Sequence, residues 1–95
     1  MKKVDIQEVT RFINKFEEKF NALDMNNDAV RGNVSKDIAA IKEELRKNPS
    51  EERVIERLKL FLNGLRDYSY GNKNLSPLIY NLEEYIKEID ITSDF

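Results

Sequence analysis

Apolar residues recur along this chain with the period of an α-helix in four separate stretches. The clearest lies between Asn48 and Tyr70. There Val54, Ile55, Leu58, Phe61, Leu62 and Leu65 stand at i, i+1, i+4, i+7, i+8 and i+11, which is one face of a helix of 3.6 residues per turn. Arg53, Glu56, Arg57, Lys59, Asn63 and Arg66 take the remaining faces. Asn48 is expected to cap this helix, Pro49 to occupy its first position, where a missing N–H costs nothing, and Glu51 to complete a capping box. Glu52 adds negative charge at the positive end of the helix dipole. A helix with one apolar face is not stable alone in water and requires partners along its length.

The other stripes supply those partners. Val9, Phe12, Ile13, Phe16, Phe20 and Leu23 follow a start at Asp5, which stands at capping-box spacing from Glu8. The cluster Asp24 to Asp28 favours turns and caps, because its side chains compete for backbone hydrogen bonds. Val30, Val34, Ile38, Ile41 and Leu45 predict a second helix. Gly32 falls inside it at a cost of about 1 kcal/mol relative to Ala, so a start at Asn33 or Ser35 is an alternative. Glu43 and Lys47 form an i,i+4 pair in the favourable order, and Asn48-Pro49 ends the run. After the central helix, Gly71 and Asn72 tolerate positive φ and predict a turn. Ser76-Pro77 repeats the cap-then-proline signal, with Leu75 placed to staple the start. Leu78, Ile79, Leu82, Tyr85, Ile86 and Ile89 form the fourth stripe, and Ile91 to Phe95 is expected to fray.

Four amphipathic helices, at about residues 6–24, 28–47, 49–70 and 77–90, joined by short loops, pack best as sequential antiparallel neighbours. The expectation is one all-α domain over residues 1–95, an antiparallel up-down-up-down four-helix bundle. Leu60 and Tyr80 fall off their stripes and are either ordinary surface residues or a contact patch. Self-association through Leu60 is one such use, so the chain is expected to be a monomer or a weak homodimer.

Composition narrows the function. The chain of 95 residues carries 16 basic and 18 acidic side chains, a net charge of −2, which argues against nucleic acid as the partner. Residues 75–95 hold one Lys against five acids; such an acidic last helix either steers a cationic partner or is simply a solvated face. With no Cys and no His, disulfides, zinc sites of those ligands and Cys–His or Ser–His catalysis are excluded. The opening Met-Lys-Lys is followed at once by polar residues, so no secretory h-region forms. No apolar run approaches the ~20 residues that span a bilayer. A cytoplasmic, not membrane-spanning protein is expected.

Candidate chemistry is sparse. Asp24, Asn26 and Asp28 after Phe16 and Phe20 are spaced like the first ligands of an EF-hand, but Ala29 stands where glycine belongs and Ser35 where a bidentate Glu belongs. A second loop from Asp67 offers Ser69, then Gly71 and Lys73 where oxygens are needed. Helix capping is the preferred reading of the acidic cluster. Glu51/Glu52 and Glu83/Glu84 are helix neighbours that face different directions, and no phosphate-binding glycine loop is present. Neither an enzyme nor a cofactor is expected. What remains is recognition by a surface. Tyr68, Tyr70 and Tyr80, with Asn72 and Lys73, gather around the third turn, where tyrosines either anchor a protein partner or close the end of the core with their hydroxyls in water.

Asn48-Pro49, then Ile55-x-Arg57-Leu58, Tyr70-Gly71-Asn72-Lys73 and Leu75-Ser76 resemble the immunity proteins of pediocin-like bacteriocins, over about residues 48–90. The resemblance implies an antiparallel four-helix bundle in the cytosol. Proteins of this family protect the producer cell without catalysis, acting with the membrane mannose-permease receptor once the bacteriocin is bound there. Their discrimination among bacteriocins is associated with the C-terminal half, which points to Arg66 through Tyr80 here. Many members continue further beyond the fourth helix. The expected partner is therefore a toxin–receptor complex; a phage- or plasmid-encoded inhibitor of a host protein is the alternative.

Overall fold

A computed structural model describes residues 4–25 and 27–90. Its helices are α1 (Ile6–Asn21), α2 (Asp28–Arg46), α3 (Glu51–Tyr68) and α4 (Ser76–Ile89), with two short 3-10 turns, Ser69–Gly71 and Lys73–Leu75, between the last pair. Each helix packs on the next, and α4 returns to α1, which closes an all-α antiparallel bundle of 41 × 27 × 17 Å. The expected fraying of Ile91 to Phe95, the Met-Lys-Lys start and the EF-hand position Asn26 lie outside the described residues.

The stripes became the core, except for Ile55 of the α3 stripe, which is only partly buried and lies outside it. All five apolar positions of α2 are buried, as are Val54, Leu58, Phe61, Leu62 and Leu65 of α3 and Leu78, Leu82 and Ile86 of α4. Phe16 meets Phe61 edge-on at 5.2 Å between ring centroids. Phe12 and Tyr85 lie at the flanks of their stripes and stack at 4.0 Å, only 4° from parallel, across the α1–α4 seam. The Tyr85 hydroxyl is buried there and has no hydrogen-bond partner among the described residues. Burial, and then the carboxylates of Glu8, Glu88 and Asp5, push this phenol up to about 12.

Helix ends depart from the expected boundaries in instructive ways. Asp5 caps α1, its Oδ1 accepting from the Gln7 N–H at 2.9 Å, but α1 stops at Asn21 rather than Leu23 or Asp24. Asn27 caps α2, accepting from Val30 N–H at 3.1 Å, and α2 runs unbroken through Gly32. Asn48 does not cap α3. It sits at φ 52°, and its N–H donates to Leu45 O at 3.3 Å, so it terminates α2 in the left-handed conformation that asparagine tolerates. Ser50 is the cap instead, with Oγ accepting from Arg53 N–H at 3.2 Å. Ser76 likewise lies inside α4, preceded by Leu75 without a side-chain cap. One residue cannot serve both the αL end of one helix and the extended cap of the next, and the end of α2 takes Asn48.

Ion pairs fasten neighbouring helices. Glu44 on α2 accepts from Arg53 and lies 2.8 Å from Arg57 Nε on α3, and Lys42 pairs with Glu17 of α1. Arg66 of α3 reaches Glu83 of α4 at 3.0 Å, so Glu83 is not merely solvated. Lys59 pairs with the buried Asp90 at 2.7 Å. Glu43 pairs with Arg46 at 3.4 Å rather than with Lys47. Lys47 follows the last helical residue, where the geometry of an i,i+4 pair is lost. None of the described helices is long and apolar enough to cross a membrane.

Candidate partner-binding surface

An up-down bundle brings alternate connections to the same end. The α1–α2 loop, around Asp24 and Asn27, therefore lies beside the α3–α4 connection. That connection is held by its own polar groups. Ser69 Oγ donates to Arg66 O at 2.7 Å, and Asn72 Nδ2 donates to Tyr68 O at 2.9 Å. The Asn72 N–H donates to Ser69 O at 3.1 Å, and Leu75 N–H to Asn72 O at 3.0 Å. Leu75 is fully buried and anchors the second 3-10 turn to the core. Gly71 and Asn72 do not use positive φ: Asn72 has φ −141°, and no glycine of the described residues lies in that region. Two consecutive 3-10 turns reverse the chain instead.

The two loops are joined. Asn74 Nδ2 donates across to Asp24 O at 2.7 Å, and the Arg31 guanidinium donates to Leu23 O at 2.7 Å while resting 5.6 Å from the Phe20 ring centroid. Between the loops lies an open polar depression of about 470 Å³, walled by Asp24, Met25, Asn27 and Asp28 on one side and Gly71, Asn72, Lys73 and Asn74 on the other. Two carboxylates thus share a depression with one ammonium.

The expected site residues divide here. Asn72 and Lys73 stand in the wall. Tyr70, immediately before Gly71, projects into solvent with 92% of its surface exposed. Tyr68 is half-buried and packs against the core, closing the bundle end. Tyr80 is 64% exposed on α4 and, like the other two tyrosines, does not line the depression. Asp24, Asn27, Asp28 and Asn74 were not expected in a common site. Their signal was topological: an even-numbered bundle puts the first and third loops side by side.

This arrangement presents an aromatic ring, amide groups and charges of both signs on a stiff frame. Of the EF-hand spacing, Asp24 and Asp28 share the depression with the Lys73 ammonium, which opposes a cation between them. Among the described residues no group of three or more Asp or Glu side chains is placed to hold a metal ion. Comparison with protein families, with curated proteins and with solved structures finds no match to this chain.

Proposed function

We propose that this chain is a binding protein that confers immunity to a pediocin-like bacteriocin by non-catalytic contact with the toxin–receptor complex. The observation that carries the contact surface is Tyr70. It is a large ring held almost wholly in solvent on a turn that four local hydrogen bonds and a buried leucine make stiff. The stiff turn spares backbone entropy on docking, tyrosine has only two side-chain torsions to fix, and it is enriched among interface anchors. Asn72 and Lys73 beside it add directional hydrogen bonds and a charge contact. The immunity assignment draws on the resemblance through Tyr70-Gly71-Asn72-Lys73, whose residues occupy this turn.

The test is protection. The chain is expressed in a bacterium sensitive to pediocin-like peptides and challenged with a panel of them. Resistance to one or a few is expected, lost in Tyr70→Ala and weakened in Tyr80→Ala and Lys73→Glu. Tyr68 is left intact because its packing is part of the fold. Full protection by a folded Tyr70→Ala protein would remove the proposed surface. Sensitivity to the whole panel, with soluble protein in the cell, would move the assignment to an inhibitor of another host protein.

A further inference from the structure

The side of α3 that borders α2 carries an uncovered apolar knob. Leu60 is 52% exposed and adjoins a depression of about 90 Å³ also lined by Asp37, Ile41, Arg57 and Phe61. Ile41 and Phe61 belong to the core, so apolar side chains lie beneath a lining whose exposed surface is mostly polar, with Asp37 and Arg57 at its rim. Arg53 and Asp67 stand seven residues before and after Leu60, two helical turns or about 10.5 Å each way and on nearly one line. The row reads cation, apolar knob, anion. Turned end for end, it is its own complement.

Both charges remain accessible to a neighbour. Asp67 is exposed and makes no ion pair among the described residues. Arg53 bonds Glu44 and lies 3.5 Å from Glu56, yet keeps 50% of its side chain exposed, within reach of a further carboxylate. Gly64, one turn beyond Leu60, lets a neighbour come close: a Cβ there would meet only Asp37 Oδ2, at 3.9 Å. Ala40 of α2 is also small and exposed.

We propose that a second copy of this chain docks on this face, antiparallel, about a two-fold axis at Leu60. Such a contact is isologous, so one patch must supply both knob and hole and both signs of charge. The two Leu60 side chains meet near the axis, each entering the depression of the other copy. Asp67 of each copy falls opposite Arg53 of the other. An unrelated partner has no reason to match this symmetric order, which is why the occupant is a second copy. The inference does not rest on the immunity reading, since Leu60 lies mid-helix, away from the α3–α4 turn.

Sedimentation equilibrium over a concentration series tests it, with circular dichroism confirming the fold of every variant. The wild-type chain is expected to show a monomer–dimer equilibrium. Leu60→Asp should raise the dimer dissociation constant about tenfold or more. Asp67→Arg and Arg53→Asp should each weaken self-association, because each places like charges opposite one another. An equimolar mixture of those two variants should recover the dimer, since both cross-contacts are then of opposite sign. A wild-type chain that stays monomeric at its highest soluble concentration overturns the proposal. So does a Leu60→Asp protein that dimerises like the wild type, and failure of the mixture to associate overturns the antiparallel register.

Discussion

Removing the Tyr85 hydroxyl should stabilise this protein. The oxygen is buried at the α1–α4 seam and finds no acceptor among the described residues, and an unsatisfied buried donor costs about 1–3 kcal/mol of desolvation. The tyrosine as a whole is only half-buried, which places the gain at the low end, about 1 kcal/mol. Tyr85→Phe keeps the ring and hence the stack on Phe12 at 4.0 Å, so no packing term opposes it. For a chain of this size that is a rise of about 4–8 °C in Tm. The pH dependence supplies an independent check. The phenol ionises near pH 10 when unfolded and near 12 when folded, because of its burial and the nearby carboxylates of Glu8, Glu88 and Asp5. Below pH 10 it is neutral in both states and makes no difference. Between about 10 and 12 the unfolded chain releases a proton that the folded chain keeps, so wild-type stability falls as pH rises through that window. The phenylalanine variant lacks this part of the fall. Urea unfolding followed by circular dichroism at pH 7 and near pH 11 measures both effects. A loss of about 1 kcal/mol or more at pH 7, or an unchanged difference between the two proteins at the higher pH, would refute the reasoning, since the hydroxyl would then have a hidden acceptor.

Other substitutions probe the helix ends and the surface. Gly32→Ala should stabilise by about 1 kcal/mol in a urea melt, because the added Cβ meets nothing within 4 Å. Asn48→Ala should cost about 1 kcal/mol at its positive φ while Asn48→Gly is near neutral; equal effects of the two would contradict the left-handed C-terminus of α2. Ser50→Ala should cost about 1 kcal/mol through loss of the α3 cap, read as a lowered urea midpoint with an unchanged slope. Tyr70→Ala should leave stability within about 0.5 kcal/mol and alter only binding, so a large drop in Tm would mean that the ring supports the fold.

Much of the candidate surface is legible in the amino-acid sequence alone. Gly71, Asn72 and Lys73 sit between two strong helical stripes, and a polar gap there has to be a turn. Tyr68 ends α3 three residues after the buried Leu65 and so continues its stripe, whereas the exposure of Tyr70 is not legible, because it depends on where the α-helix gives way to the following 3-10 turn. The contribution of Asp24, Asn27 and Asp28 to the same depression is hidden as well. Those residues lie some fifty positions from Asn74 in the chain, the separation spanned by the Asn74–Asp24 hydrogen bond.

Periodicity determined the number of helices, their antiparallel order and nearly the whole core, since an apolar stripe has one physical outlet, burial against other stripes. Val30, Val34, Ile38, Ile41 and Leu45 needed no further information. Leu60 and Tyr80 were readable as exposed because they break that period. The tertiary structure alone decided the contests between adjacent elements and the meetings between distant ones. It assigned Asn48 to the end of α2 and Ser50 to the start of α3, turned Glu83 to Arg66 and Glu44 to Arg53 and Arg57, and set Tyr85 with its orphaned hydroxyl against Phe12. The difference has a plain physical origin. Burial of a stripe is a sum over many positions that local sequence already contains, whereas a cap, an ion pair or a stacked ring depends on which single side chain a neighbouring helix brings within a few ångströms.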